Sequence, residues 1–273
     1  MIFLFCLKLK SKNWYSINSN IRKGFLILFG ILLNSIVYSQ QGKIDPTFNT
    51  YDDGLLGDGF DNTVRTLSLQ GDGKLIVGGD YLNFNGASTS FLSRLYPDGT
   101  KDDSFVLGTS FNGKIYCSQL QADGKIILGG TFTSYDGSSI GRLIRLNSDG
   151  SHDSTFNTSV GVSSGIVYAS ALQSDGKIII VGSFTTYNGL GAYRVARILP
   201  DGNLDTTFVT GSGASGRVEE VQIQSDGKII VAGSFDSFNG FPNSGKIVRL
   251  NTDGSIDGTF ATGIGFDDSI TAL

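Results

Sequence analysis

The string Q-x-D-G-K occurs four times, at Gln70–Lys74, Gln121–Lys125, Gln173–Lys177 and Gln224–Lys228, with spacings of 51, 52 and 51 residues. A period that regular makes each copy one structural unit and the chain a stack of such units, so the unit decides the fold. Each copy is followed by a short apolar run with glycine: Leu75–Gly79, Ile126–Gly130, Ile178–Gly182 and Ile229–Gly233. Next comes an aromatic-x-x-aromatic-[ND]-G segment, as in Phe132–Gly137 and Phe184–Gly189. An arginine followed by Leu or Ile comes after it, at Arg94, Arg145, Arg197 and Arg249. The unit closes with D-G and then D-x-[ST]-F, ending at Phe105, Phe156, Phe208 and Phe260.

Asp-Gly between two β-prone runs predicts a hairpin with a type I′ turn, which needs positive φ at both central residues. The pairs beginning at Asn85, Asp136, Asn188 and Asn239 repeat that signal. The apolar runs are too short for helices and rich in Ile, Val and Leu, so they read as strands. One unit therefore supplies about four antiparallel strands, the content of one propeller blade. Such a blade cannot bury both faces alone, and the repeated Phe and aliphatic positions are expected to form the core between blades. A linear β-solenoid is the main alternative, but its coils repeat over a shorter stretch. An ion pair is expected inside each unit, joining Arg94, Arg145, Arg197 and Arg249 to Asp102, Asp153, Asp205 and Asp257 across the tight turn.

The units resemble the delta-60 repeats of large secreted bacterial proteins, and Leu172–Gly189 and Arg249–Phe260 follow that pattern closely. The resemblance covers essentially all of residues 42–273 and implies an all-β, β-propeller fold of four-stranded antiparallel blades. It brings no catalytic site to carry over. Members often end in a sorting domain, and none is visible here. Full repeats are expected at about 59–108, 110–160, 162–211 and 213–263, with partial units at 42–50 and 265–273. Gly42–Phe48 matches a closing strand and Gly265–Leu273 an opening one, which reads as a propeller domain (40–273) continuing beyond the chain end.

Residues 1–39 read as a secretory signal peptide. Arg22 and Lys23 precede an apolar run from Gly24 to Val37, with Val37-Tyr38-Ser39 as a cleavage site. The run is shorter than the ~20 residues that span a bilayer, so no stable membrane anchor is expected. Five of the 21 basic residues lie in this leader, leaving 16 against 25 acidic ones in the body. A body that acidic is unsuited to neutralising phosphates, which excludes nucleic acid as a partner. Cys117 is the single cysteine after the leader, so no internal disulfide can form, and it reads as a buried inert thiol.

Few groups stand outside the repeat. His152, the only histidine, is equivalent to Lys101, Leu204 and Ile256 and reads as an exposed turn residue. That removes imidazole-based catalysis and zinc. The N-x-D-G-x-x-D strings at Asn147–Asp153 and Asn251–Asp257 look like calcium loops but lack the bidentate glutamate, and read as turns with Asx-type side-chain bonds. Asp52, Asp53, Asp58 and Asp61 crowd the longer first connection and read as a solvated acidic loop. Glu219 and Glu220 are the only glutamates; strand alternation is expected to send them to opposite faces, so they cannot serve together as a glycosidase pair.

No catalytic, cofactor or metal residue is therefore assigned. The expected function is a non-catalytic, secreted or cell-surface module for adhesion, ligand binding or scaffolding, with an extracellular protein or glycan as partner. The alternatives are a propeller-type glycosidase or lyase and a structural spacer. A polar and aromatic cluster on one rim favours binding, convergent carboxylates favour an enzyme, and neither favours a spacer.

Overall fold

The computed structural model describes residues 47–50, 58–157, 160–242, 246–261, 263 and 265–273. The expected leader, Asp52 and Asp53 lie outside them. No helix among the described residues is long and apolar enough to cross a membrane.

Each unit repeats one arrangement. An inner strand (Val64–Leu69, Ile115–Leu120, Val167–Leu172 or Val218–Ile223) pairs antiparallel with a middle strand. The middle strands, Leu75–Gly79, Ile126–Gly130, Ile178–Gly182 and Ile229–Gly233, are the apolar runs read from the sequence. A third strand, Leu92–Leu95, Leu143–Leu146, Val195–Ile198 or Ile247–Leu250, completes the continuous sheet. The fourth strand is reduced to a single bridging residue, at Lys101, His152, Leu204 and Ile256. Two-residue strands, such as Asn83–Phe84 with Ala87–Ser88, form a small hairpin between middle and third strands.

The two turn signals behave differently. At Asn85-Gly86, Asp136-Gly137, Asn188-Gly189 and Asn239-Gly240 both residues have positive φ, as a type I′ turn requires. In the Q-x-D-G-K turns only the glycine does, as at Gly73 with φ +84°. The type I′ expectation is corrected there. Gly73 N bonds Gln70 O at 2.9 Å and Gln70 N bonds Lys74 O at 2.8 Å, so the turn is followed by a left-handed glycine bulge. The Asp72 carboxylate accepts from Lys74 N at 3.1 Å, and the aspartate keeps a negative φ.

The core lies between units. Ile76, Leu92 and Phe105 pack with Ile126, Leu128 and Phe132 of the next unit. Ile127 and Leu143 continue into Ile178, Ile180 and Phe184, and Ile179 and Val181 into Val231, Phe235 and Val248. Each fully buried side chain of this size contributes about 1.5–3 kcal/mol. Leu120, Leu172 and Ile223 of the inner strands pack onto the preceding unit. The equivalent Leu69, with no described unit before it, is 67% exposed.

The repeated arginine ties the units together. Arg94 and Asp102 meet at 2.8 Å, Arg145 and Asp153 at 2.6 Å, Arg197 and Asp205 at 2.8 Å, and Arg249 and Asp257 at 2.8 Å. The expected ion pair is present in every unit. Each guanidinium also lies over the closing phenylalanine, 4.6 to 4.8 Å from the ring centre. In the first three units Nη1 then donates across the seam, to the carbonyls of Ser148 (2.5 Å), Pro200 (2.7 Å) and Thr252 (2.5 Å). The motif lysines Lys74, Lys125 and Lys228 reach the same aspartates at 2.9, 2.9 and 2.8 Å. Backbone bonds repeat the tie: Val106 N to Asp149 O, Asn157 N to Asp201 O and Val209 N to Asp253 O. Asn49 N makes the same bond to Asp98 O, which seats Phe48–Asn49 against the first unit as Phe105–Val106 seat against the second.

Candidate binding site

All four inner strands carry the same irregularity. The register with the middle strand shifts between Val64 and Thr66, Ile115 and Cys117, Val167 and Ala169, and Val218 and Glu220. The extra residues are Arg65, Tyr116, Tyr168 and Glu219. A bulge re-aims its side chain, and these four converge on one cleft of about 510 Å³. Thr63, Val64, Arg217, Glu220 and Thr271 complete its lining. A linear solenoid would spread equivalent residues along its length. Their meeting in one cleft shows that the units turn about a common axis, with the cleft as the channel mouth.

The bulge depends on the glycine that ends each middle strand. A Cβ on Gly79, Gly130, Gly182 or Gly233 would collide with the backbone carbonyl of Thr63, Lys114, Ile166 or Arg217 on the inner strand. Glycine admits that close approach, and the approach swings the next-but-one side chain into the mouth.

The bulge column differs in every unit except for the two tyrosines. Arg65 holds Asp80 through Nε at 2.5 Å and Nη2 at 2.8 Å, and lies 4.4 Å over the Tyr116 ring. Lys114 Nζ reaches the same carboxylate at 2.8 Å. Tyr116 and Tyr168 meet edge-to-face with centroids 5.4 Å apart. On the far side Arg217 pairs with Glu219, which also accepts from Ser234 Oγ at 2.8 Å. The Arg65 guanidinium holds the Asp80 carboxyl below the usual carboxylate range.

Strand alternation fails at the bulge, so Glu219 and Glu220 line the same cleft and the expectation of opposite faces is corrected. Burial pushes the Glu220 carboxyl up, and the Glu219 charge adds to that. A raised folded-state value makes ionised Glu220 a cost: its stabilising contribution is complete below the unfolded value near pH ~4.3 and is lost as pH rises through the folded value. Glu220→Gln is therefore expected to raise the urea midpoint at pH 7 and leave it unchanged at pH 3.5. A lower midpoint at pH 7 would contradict this.

The remaining candidates are structural. His152 is exposed at its bridge, edge-on to Tyr135 at 6.5 Å. Burial pushes the Cys117 thiol up to about 11, which fits an inert thiol. Asp149 Oδ1 accepts from Ser151 N at 2.9 Å and Oγ at 2.7 Å, and Asp253 and Ser255 do the same, as Asx turns do. Asp61 accepts from Leu82 N at 2.9 Å and Asn83 N at 3.1 Å, so it fastens the first hairpin. Three smaller depressions of about 200 to 270 Å³ recur at equivalent outer places, lined by tie residues such as Asp102, Asp205 and Asp257. They belong to the blade design.

Arg65, Tyr116, Tyr168 and Arg217 escaped the sequence reading. One signal marked the bulge column: Arg65, Tyr116, Tyr168 and Glu219 each stand five residues before the motif glutamine and directly after a Val or Ile, yet differ in chemistry.

Antiparallel sheets stacked about a channel, each tied to the next by a repeated arginine, define a β-propeller. The family model "domain of unknown function (DUF5122) beta-propeller" matches residues 70–105, 121–156, 173–208 and 224–260. The chain belongs to that family. No match is found among curated proteins. Among solved structures it is similar to a catalytically inactive virginiamycin B lyase from Staphylococcus aureus with quinupristin, at 17% identity and TM-score 0.45, over 76% of this chain and 59% of the lyase. It is also similar to the extracellular domain of a one-component system from B. thetaiotaomicron, at 16% identity and TM-score 0.43, over 70% of this chain and 21% of the other. The chain thus spans less than two thirds of either structure.

Proposed function

We propose that the chain is a non-catalytic recognition module of a secreted or cell-surface protein, and that its ligand, an extracellular glycan or protein, seats on Tyr116 and Tyr168 at the channel mouth. The observation that carries this reading is the bulge column. The same bulge in all four units aims Arg65, Tyr116, Tyr168 and Glu219, side chains of three different chemistries, into one shared cleft. Aromatic faces beside arginine and carboxylate groups suit a ring-bearing polar ligand. The leader-like segment at 1–39 and the resemblance to delta-60 repeats support export, and no cofactor enters the reading.

A second reading, a propeller glycosidase or lyase, draws on one observation: Glu220 is a carboxyl raised by burial, as a general acid must be. Against it, both glutamates stand on one strand, whereas a glycosidase flanks the scissile bond with its two carboxyls. Glu219 is moreover held by Arg217 and Ser234. Screening the full secreted protein against oligosaccharides and extracellular proteins, for binding and for turnover, separates the two. Tyr116→Ala/Tyr168→Ala is expected to weaken binding at least tenfold, about 1.4 kcal/mol. Turnover abolished by Glu219→Gln or Glu220→Gln would overturn the binding reading.

A further inference from the structure

The charges at the mouth do not cancel locally. On the side of the first two units, Asp80 faces two cations, Arg65 and Lys114, which leaves one positive charge over. On the fourth unit, Glu219 is matched by Arg217 and Glu220 has no side-chain partner among the described residues, which leaves one negative charge over. Tyr116 and Tyr168 stand between the two sides. Glu220 is partly buried, so its charge is poorly solvated and an ammonium brought to it interacts more strongly than in bulk water. Arg65 lines the cleft and bonds Asp80 through Nε and Nη2, neither of which uses its Nη1.

Resting on the reading of this mouth as the ligand site, we infer that the ligand is a glycan bearing both free amino groups and carboxylates. Its amine sits at Glu220, its carboxylate at Arg65, with Lys114 outside the lining adding the excess positive charge through Asp80, and a sugar ring lies against Tyr116 and Tyr168. A neutral glycan leaves both excess charges unanswered. A purely anionic one brings a carboxylate to Glu220, and a purely cationic one brings an amine to Arg65. Only a ligand with both groups meets both sides.

The test uses glycans that differ in one group. A hyaluronan octasaccharide carries carboxylates and acetylated amines, and chemical removal of the acetyl groups frees the amines on the same backbone. The full-length protein is titrated calorimetrically with both, and with a chitosan octasaccharide that carries amines alone. The de-N-acetylated hyaluronan is expected to bind at least tenfold more tightly than either of the others, and Glu220→Gln to abolish its advantage over the parent. That variant is expected to be at least as stable as the wild type at pH 7, so the loss would not reflect unfolding. Equal affinity for the two hyaluronans, an advantage that survives Glu220→Gln, tighter binding of triglycine with free termini, or no binding at all would overturn the inference. The underlying reading fails separately, if Tyr116→Ala/Tyr168→Ala leaves every observed glycan affinity unchanged.

Discussion

Asp153→Ala is expected to cost about 3–5 kcal/mol of stability, because it strands a buried guanidinium. Arg145 is 7% exposed and Lys125 shares the same carboxylate, so removing Asp153 leaves two cations facing each other beside the Phe156 ring. Arg145 also carries the bond to Pro200, so the seam to the third unit loosens with it. The cost should depend on pH. Burial alone would raise the Asp153 carboxyl, but hydrogen bonds from Thr155 and Lys125 outweigh it and hold the group well below the carboxylate range. A depressed folded-state value gives stability that is complete above about pH 4 and lost as pH falls through the folded value. Urea unfolding at pH 7 should show the full deficit, and unfolding near pH 2 a smaller one. A deficit under about 1 kcal/mol at pH 7, or one unchanged in acid, would refute the account of the tie.

Gly182→Ala is the second large effect expected, about 1–3 kcal/mol from overpacking. Its φ lies outside the left-handed region, so the cost is purely steric: the new methyl meets the Ile166 carbonyl oxygen. That oxygen accepts from Ser183 N at 3.0 Å, so the strand cannot back away without losing the bond. The bulge must move instead and carry Tyr168 off Tyr116. Urea unfolding should show the loss of stability, and near-ultraviolet circular dichroism a weakened tyrosine signal. An unchanged tyrosine signal in a destabilised variant would separate the glycine from the site.

The repeat period and strand content were legible because each unit restates them. The Arg–Asp tie was legible too, since eight residues across a tight turn bring the two together. Its reach to the next unit was not: nothing in Arg145 points to Pro200, 55 positions on. The D-G turns misled for a local reason. Asp72 accepts from Lys74 N and keeps a negative φ, so a dipeptide that suits a type I′ turn also suits a turn with a glycine bulge. The site was hidden by the inner-strand bulge, which adds one residue to a strand without changing its composition. Reading the glutamate pair as part of a regular strand sent Glu219 and Glu220 to opposite faces, and Tyr116 and Tyr168 went unmarked.

The account separates residues that build the propeller from residues that equip its mouth, and thermal unfolding of Tyr116→Ala/Tyr168→Ala beside Asp153→Ala tests that division most directly. Partly buried residues outside the core, as Tyr116 and Tyr168 are, are expected to change stability by about 0.5–1 kcal/mol, and 1 kcal/mol shifts the midpoint of a domain this size by about 2–4 °C. The tyrosine variant, which gives up the Tyr116–Tyr168 edge contact and the Arg65 stack, is predicted to melt within about 4 °C of the wild type. Asp153→Ala is predicted to fall by more than about 6 °C. A tyrosine variant that melts as low as Asp153→Ala would place the bulge column in the core and contradict the claim.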